Sequence, residues 1–403
     1  MFTNNLLTFS ISKSINTIIL IAFILIPIFT VQESIALIFG GIASQKEILT
    51  PVYIKLLKDF MFILLILLSL LGVSYSGKIS KISLFLMLYI VLLIFIAYMF
   101  KNDSMIFFAG IRWLIPFILM LFLIPYITNG LIIKVSHIGF YLFIFHFSIQ
   151  LLQLFYAKSW YGFGTLGLSA RSPGIFFIPS TSAFFTILIL FFNMYYMDNQ
   201  KIKKIIFILS LISIFLTASG TGIVVYIVII SVYLLKRKYM LLLPILGVFL
   251  FFIVLLTLED MTGRQDIGLS FSIRVGIFLE LLQNSELFSS NFGYATNTGI
   301  LMVSSFGVEN NAFIADSLYS SILGNLGLFT FILVISSIFI SLFLAWLQKD
   351  KEKLTFILIY SLFAATTIIF EVYPANLLFA VFMAYYLSNY RKERTYETPN
   401  NPQ

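Results

Sequence analysis

Six charged residues stand where the chain can least easily ignore them. Arg112 lies in the run Gly110-Ile111-Arg112-Trp113-Leu114-Ile115-Pro116, deep in an apolar segment. An arginine there must face a bundle interior, a wet cavity or a partner, or else snorkel to the interface beside Trp113. As a ligand it would suit an anionic head group. Arg171 closes a polar connection running from about Tyr156 to Pro173. The proline at 173 disfavours helix at Ser172, and a new span starts near Gly174, so Arg171 is held at the mouth of that span. A guanidinium in such a place suits bidentate phosphate contacts. Trp160 and Tyr161 share the connection with Gly162, Gly164 and Gly167. Their rings fit a membrane interface or the faces of sugars.

A second connection, from about Glu259 to Asp316, carries Arg264, Arg274, Glu309 and Asp316. Its segment Ser270 to Phe288 reads as an amphipathic helix. At 100° per residue Arg274 falls beside Ile277, Phe278 and Leu281, opposite Glu280, Gln283 and Asn284. Arg274 therefore belongs to the apolar face. It either snorkels from a surface-lying helix into head groups or points into a cavity and binds an anion. Asp316 opens a long span, where a carboxylate also serves as a cap or dipole partner, and Glu309 is otherwise a solvated residue. Taken together, these arginines and carboxylates suit acid–base work on a phosphorylated substrate.

Other chemistries are excluded or lack their residues. There is no cysteine, so disulfides and thiolate metal sites are ruled out. His137 and His146 are the only imidazoles, and their separation is not a metal-ligand spacing on one helix. Both fall in one predicted span, which leaves no Ser-His-Asp set. No P-loop, Gly-rich nucleotide fingerprint or HExxH is present. No metal or cofactor is called for.

The elements that must position these residues are apolar helices. Of 403 residues 60% are hydrophobic and only 10% charged, with a mean hydropathy of +1.04; a soluble chain has about 25% charged residues. The net charge of +8 reflects basic residues gathered in connections, as in a membrane protein, rather than a nucleic-acid surface. Spans are expected near 15–35, 60–76, 82–100, 105–127, 135–155, 175–196, 204–217, 221–235, 239–258, 317–346, 354–370 and 375–390. The first apolar run lacks a small-residue cleavage site, so no signal peptide is expected. The fold class is thus all-α: one polytopic helical bundle over residues 1–403, with about twelve spans. Residues 156–173 form its first outer loop, 259–316 a long and partly helical outer loop, and 391–403 a polar cytoplasmic tail. Sixteen of the 25 basic residues fall on one set of connections, which puts both termini in the cytoplasm.

The order of these features resembles the Wzy-type O-antigen and capsule polymerases, within the wider O-antigen ligase and polymerase superfamily. Arg171-Ser172-Pro173-Gly174 matches an Arg-x-x-Gly segment that opens a span. Ser219-Gly220-Thr221-Gly222 matches a Ser-Arg-Thr-Gly-like turn, with the arginine missing. Ser272-Ile273-Arg274 and Gly293 match a Ser-x-Arg helix and its glycine turn, with Ala295 in place of a second glycine. Asp316-Ser317-Leu318-Tyr319 and Gly324-Asn325-Leu326-Gly327 match the polar entry to a glycine-bearing span. The ligase branch has a histidine near the end of the long loop, where this chain has Glu309-Asn310-Asn311.

The resemblance implies a multi-pass enzyme of the bacterial cytoplasmic (inner) membrane. Its substrates would be undecaprenyl-diphosphate-linked oligosaccharides, joined on the outer face of the membrane. It further implies that Arg274 and Arg171 bind diphosphate, with Arg264 and Arg112 as supporting charges and Asp316 or Glu309 as the base. Membrane lipid, a flippase and a chain-length regulator are the implied partners, and nucleic acid is not. The alternatives are a polysaccharide flippase or other transporter, an O-antigen ligase, and a non-catalytic scaffold. The unequal loop lengths of the two halves argue against a duplicated transporter.

Overall fold

The computed structural model describes residues 2–30, 52–76, 81–99, 104–156, 172–176, 178–234, 267–296 and 317–388. Among these residues the structure is all-helical, with no strand. The main helices are α1 (Phe2–Ile24), α2 (Val52–Ser76), α3 (Lys81–Met99), α4 (Ser104–Leu123), α5 (Asn129–Tyr156) and α6 (Pro179–Tyr196). They continue with α7 (Gln200–Thr217), α8 (Gly220–Leu234), α9 (Ile267–Gln283), α10 (Leu318–Leu347), α11 (Lys351–Ala364) and α12 (Ala375–Leu387). Each expected span overlaps a helix except 239–258, which lies outside the described residues, as does 31–35 of the first span. By length and apolarity, 4 of the helices suffice to cross a membrane: those holding Leu56–Ser74, Ile106–Leu123, Asn129–Phe155 and Leu318–Leu347.

The bundle is apolar outside and studded with polar groups inside. Helix α3 turns Phe85, Leu88 and Tyr98 outward, each more than 60% exposed. Water would not tolerate apolar patches of this extent on a monomer, whereas hydrocarbon would. Conversely His146, Gln150, Gln153, Ser182, Asn193, Ser213 and Asn325 are all buried. Helix α6 is buried on nearly every side, as expected of a helix that is apolar all round. It forms the centre, and its Phe184 and Phe191 rings pack on Phe363 and Phe356 of α11.

Short-range chemistry sets several helix ends. The Asn199 side chain accepts from the amides of Lys201 and Ile202 at the start of α7. Asp350 accepts from Lys353 at 2.9 Å before α11, and Ser317 accepts from Ser320 at 3.0 Å before α10. Each satisfies amides that have no partner within the helix.

Contacts between distant helices sort the helix ends into two groups. At one end the Tyr196 and Tyr386 hydroxyls both donate to Glu352 Oε1, and Tyr385 donates to Asn129 Oδ1. The other end of α5, about 40 Å away at 1.5 Å per residue, carries Gln150 and Gln153. There the amide of Ser172 donates to the carbonyl of Leu216 at 2.8 Å, and the Tyr319 hydroxyl to that of Ser361 at 2.8 Å.

Three elements depart from expectation. Helix α2 begins at Val52 rather than near residue 60, so Lys58 and Asp59 ride on a helix instead of a loop. Helix α11 ends at Ala364, and the chain runs non-helically to Pro374 before α12 starts. Helix α10 is broken at Gly327, whose φ is +84°. The amides freed there are taken by another segment: Leu328 donates to the Glu286 carbonyl at 2.9 Å and Phe329 to that of Leu287 at 3.1 Å.

Candidate functional site

The polar residues of α5 form one stripe, His146, Gln150 and Gln153, spaced to fall on a single helix face. All three grip the turn that follows Arg171. Gln153 Nε2 donates to the Gly174 carbonyl at 2.8 Å, and the Gly174 amide donates back to Gln153 Oε1 at 2.7 Å. Gln150 Nε2 donates to the carbonyls of Ser172 at 2.9 Å and Ser213 at 3.3 Å, while Ser213 Oγ donates to Gln150 Oε1 at 2.7 Å. The amide of Ile175 donates to His146 Nδ1 at 3.3 Å. In the neutral ring that leaves the proton on Nε2, which faces Ser182 Oγ at 3.1 Å. Gly174 has φ +65°, and a Cβ there would stand 2.5 Å from the His146 ring. Glycine is thus required twice over, for backbone conformation and for space.

Through the Ser172–Leu216 bond this turn abuts the end of α7. Two residues on, Ala218 takes φ +46°, and the Gly222 amide donates to Ser219 Oγ at 3.2 Å. The segments Ser172–Gly174 and Ser219–Gly222, far apart in sequence, are therefore neighbours.

A second clamp holds the stretch after α9. Asn325 Oδ1 accepts from the amides of Gly293 at 2.9 Å and Ala295 at 3.2 Å. Its Nδ2 donates to the Ala295 carbonyl at 3.0 Å and to Ser321 Oγ at 3.1 Å. Ser321 Oγ adds a bond to the Ala295 carbonyl at 2.7 Å. Gly293 has φ +95°, and a Cβ there would collide with the carbonyl oxygen of Ile106 on α4. Phe292, fully buried, packs its ring 5.7 Å from that of Phe107. Residues 286–296 are thus wedged between α4 and the broken part of α10.

Helix α9 lies against α10 through Phe278, whose ring centroid is 5.7 Å from that of Phe331. Its less exposed stripe is Arg274, Ile277, Phe278 and Leu281, the face expected from the sequence. Arg274 is half-buried there, with its Nε atom inside.

Arg112 has a partner the sequence reading missed. Its Nη2 and Nε reach Asp59 Oδ2 of α2 at 3.0 and 3.1 Å. Lys58, Glu371 and Asn376 line the same cavity. Arg171, Arg264, Glu309 and Asp316 lie outside the described residues. The structure thus brings together the segments next to Arg171 and sets Arg274 on the inward face of its helix, while Arg112 belongs to a separate cavity. Sequence reasoning missed Gln150, Gln153 and Asp59, gave Asn325 no role of its own within the segment 324–327, and weighed His146 only as a metal ligand or triad member. For the α5 set a signal existed: polar side chains recurring on one face of an otherwise apolar helix. Among the described residues no cluster of carboxylate and imidazole groups could hold a metal.

No protein-family model, curated protein or solved structure matches this chain.

Proposed function

We propose that the chain is a polysaccharide polymerase, a glycosyltransferase joining undecaprenyl-diphosphate-linked oligosaccharide repeat units on the outer face of a bacterial cytoplasmic membrane. The observation that carries this reading is the meeting of segments singled out by the resemblance. Ser172–Gly174 is bonded to the end of α7 beside Ser219–Gly222. Gly293 and Ala295 are bonded to Asn325. The bundle is read as twelve spans with both termini in the cytoplasm, and the sorting of helix ends into two groups supports that alternation.

In the reaction, a hydroxyl of the incoming unit attacks the anomeric carbon of the growing chain, and the carrier diphosphate leaves. The hydroxyl proton passes to a carboxylate, Asp316 or Glu309. Arg274 and Arg171 stabilise the charge that develops on the diphosphate, with Arg264 in support. Arg112, engaged by Asp59, is left out of the chemistry.

A strain lacking the chain is expected to export single repeat units and make no long polymer. Normal polymer length in that strain would sink the reading. A loss of outward-facing units would favour a flippase, and free polymer left unattached would favour a ligase. Arg274→Ala is expected to abolish polymerisation at normal protein level. Arg274→Lys, which keeps charge but loses the planar fork, should restore only a small part.

A further inference from the structure

A cavity lies between α2, α4 and the non-helical stretch that leads into α12. It is partly open to solvent and is lined by Lys58, Asp59, Arg112, Glu371 and Asn376. Its charge is balanced, with two cations facing two carboxylates. Arg112 turns its Nε–Nη2 edge to Asp59, and Lys58 Nζ lies 5.5 Å from the centre of the Tyr373 ring. The cavity therefore combines charges of both signs.

Three features narrow its ligand. Trp113 and Phe370 line it but are 1% and 7% exposed, so neither offers a ring face on which a sugar could stack. A purely anionic ligand would meet Asp59 and Glu371, and a purely cationic one Lys58 and Arg112; each arrangement sets like charges together. A small group with one charge of each sign meets all four. On another face of α2, Leu56 and Phe60 are about 60% exposed and suited to hydrocarbon, so the helix that carries Lys58 and Asp59 also borders lipid.

We propose that this cavity binds the phosphoethanolamine head group of a bilayer lipid. Its phosphate would lie toward Arg112 and Lys58, and its primary ammonium toward Asp59 and Glu371. A choline head group has no N–H to donate, and a glycerol phosphate has no cation. This inference uses the bilayer setting but does not rest on the polymerase reading.

The test is lipid binding to the purified full chain in detergent, by native mass spectrometry and thermal unfolding. The probes are phosphatidylethanolamine, phosphatidylglycerol and phosphatidylcholine of identical acyl chains, and soluble phosphoethanolamine. The expected result is a preference of about tenfold for the ethanolamine lipid over the other two, the scale of one charge-assisted hydrogen bond. Equal binding of all three lipids would overturn the proposal. Weaker binding of the soluble compound than of the lipid is also expected, and equal or tighter binding would overturn the bilayer source. The double variant Asp59→Asn/Glu371→Gln keeps shape and leaves two cations, so its preference should reverse to phosphatidylglycerol; an unchanged preference would refute the site. If that variant is not recovered folded, Lys58→Gln, which spares the Arg112–Asp59 pair, decides. It should weaken ethanolamine-lipid binding about tenfold, and undiminished binding counts against the site.

Discussion

The turn gripped by α5 and the cavity beside Arg112 are both polar places in an apolar bundle, built on opposite principles. The turn contains no charge. His146, Gln150, Gln153 and Ser172 are at most 1% exposed, and their bonds run mainly to main-chain groups that no helix ladder satisfies. The cavity is full of charge and open, with 43% and 25% exposure for the side chains of Arg112 and Asp59. A neutral amide buried with all its partners costs little and holds a loop in one shape. A charged pair near solvent contributes little to stability but stays accessible to a ligand. The first arrangement suits positioning and the second suits recognition.

That contrast can be broken by substitution. The largest loss is expected at Gly293→Ala, in the second of the neutral clamps. The new Cβ would meet main chain at Ile106 in a backbone conformation that favours glycine, costing about 4 kcal/mol or more. Recovery of folded protein at the wild-type level would contradict the wedge. Next, Gln153→Leu strips partners from both polar groups of Gly174 and should cost about 2–4 kcal/mol. It should also speed amide exchange over residues 172–176, read by mass spectrometry; unchanged exchange would refute the clamp. Ser321→Ala removes the hydroxyl that donates to the Ala295 carbonyl and accepts from Asn325, for about 1–2 kcal/mol in thermal unfolding. The smallest effect belongs to the charged cavity. Arg112→Gln should change unfolding by less than about 1 kcal/mol, since the pair it breaks is substantially exposed. A loss as large as that of Gln153→Leu would erase the distinction between the two regions.

Several features were legible in advance because they are periodic. The face of α9 holding Arg274 with Ile277, Phe278 and Leu281 follows from helical geometry, and the structure turns that face toward α10. The helical segments likewise follow from continuous apolar runs. Gln150 and Gln153 were passed over because their partners at Ser172 and Gly174 lie beyond a connection, and nothing local marks which turn an amide will reach. Asp59 falls just before the span expected at 60–76, because the apolar run that signals α2 starts only after it. The break at Gly327 looked like an ordinary glycine in a span, since it becomes tolerable only once residues 286 and 287 supply carbonyls to the freed amides.

Apolar runs and the scarcity of charge determined from the sequence alone that this chain is helical and suited to lipid. Helix formation and partition are governed by local hydrogen bonding and composition. Tertiary structure decided which polar groups meet. Apolar side chains gain little by leaving lipid for another helix, so helix order and loop shape depend on a few long-range bonds and close glycine contacts. Asn325 to Gly293, Gln153 to Gly174 and Arg112 to Asp59 are bonds of that kind, and their partners are chosen in space.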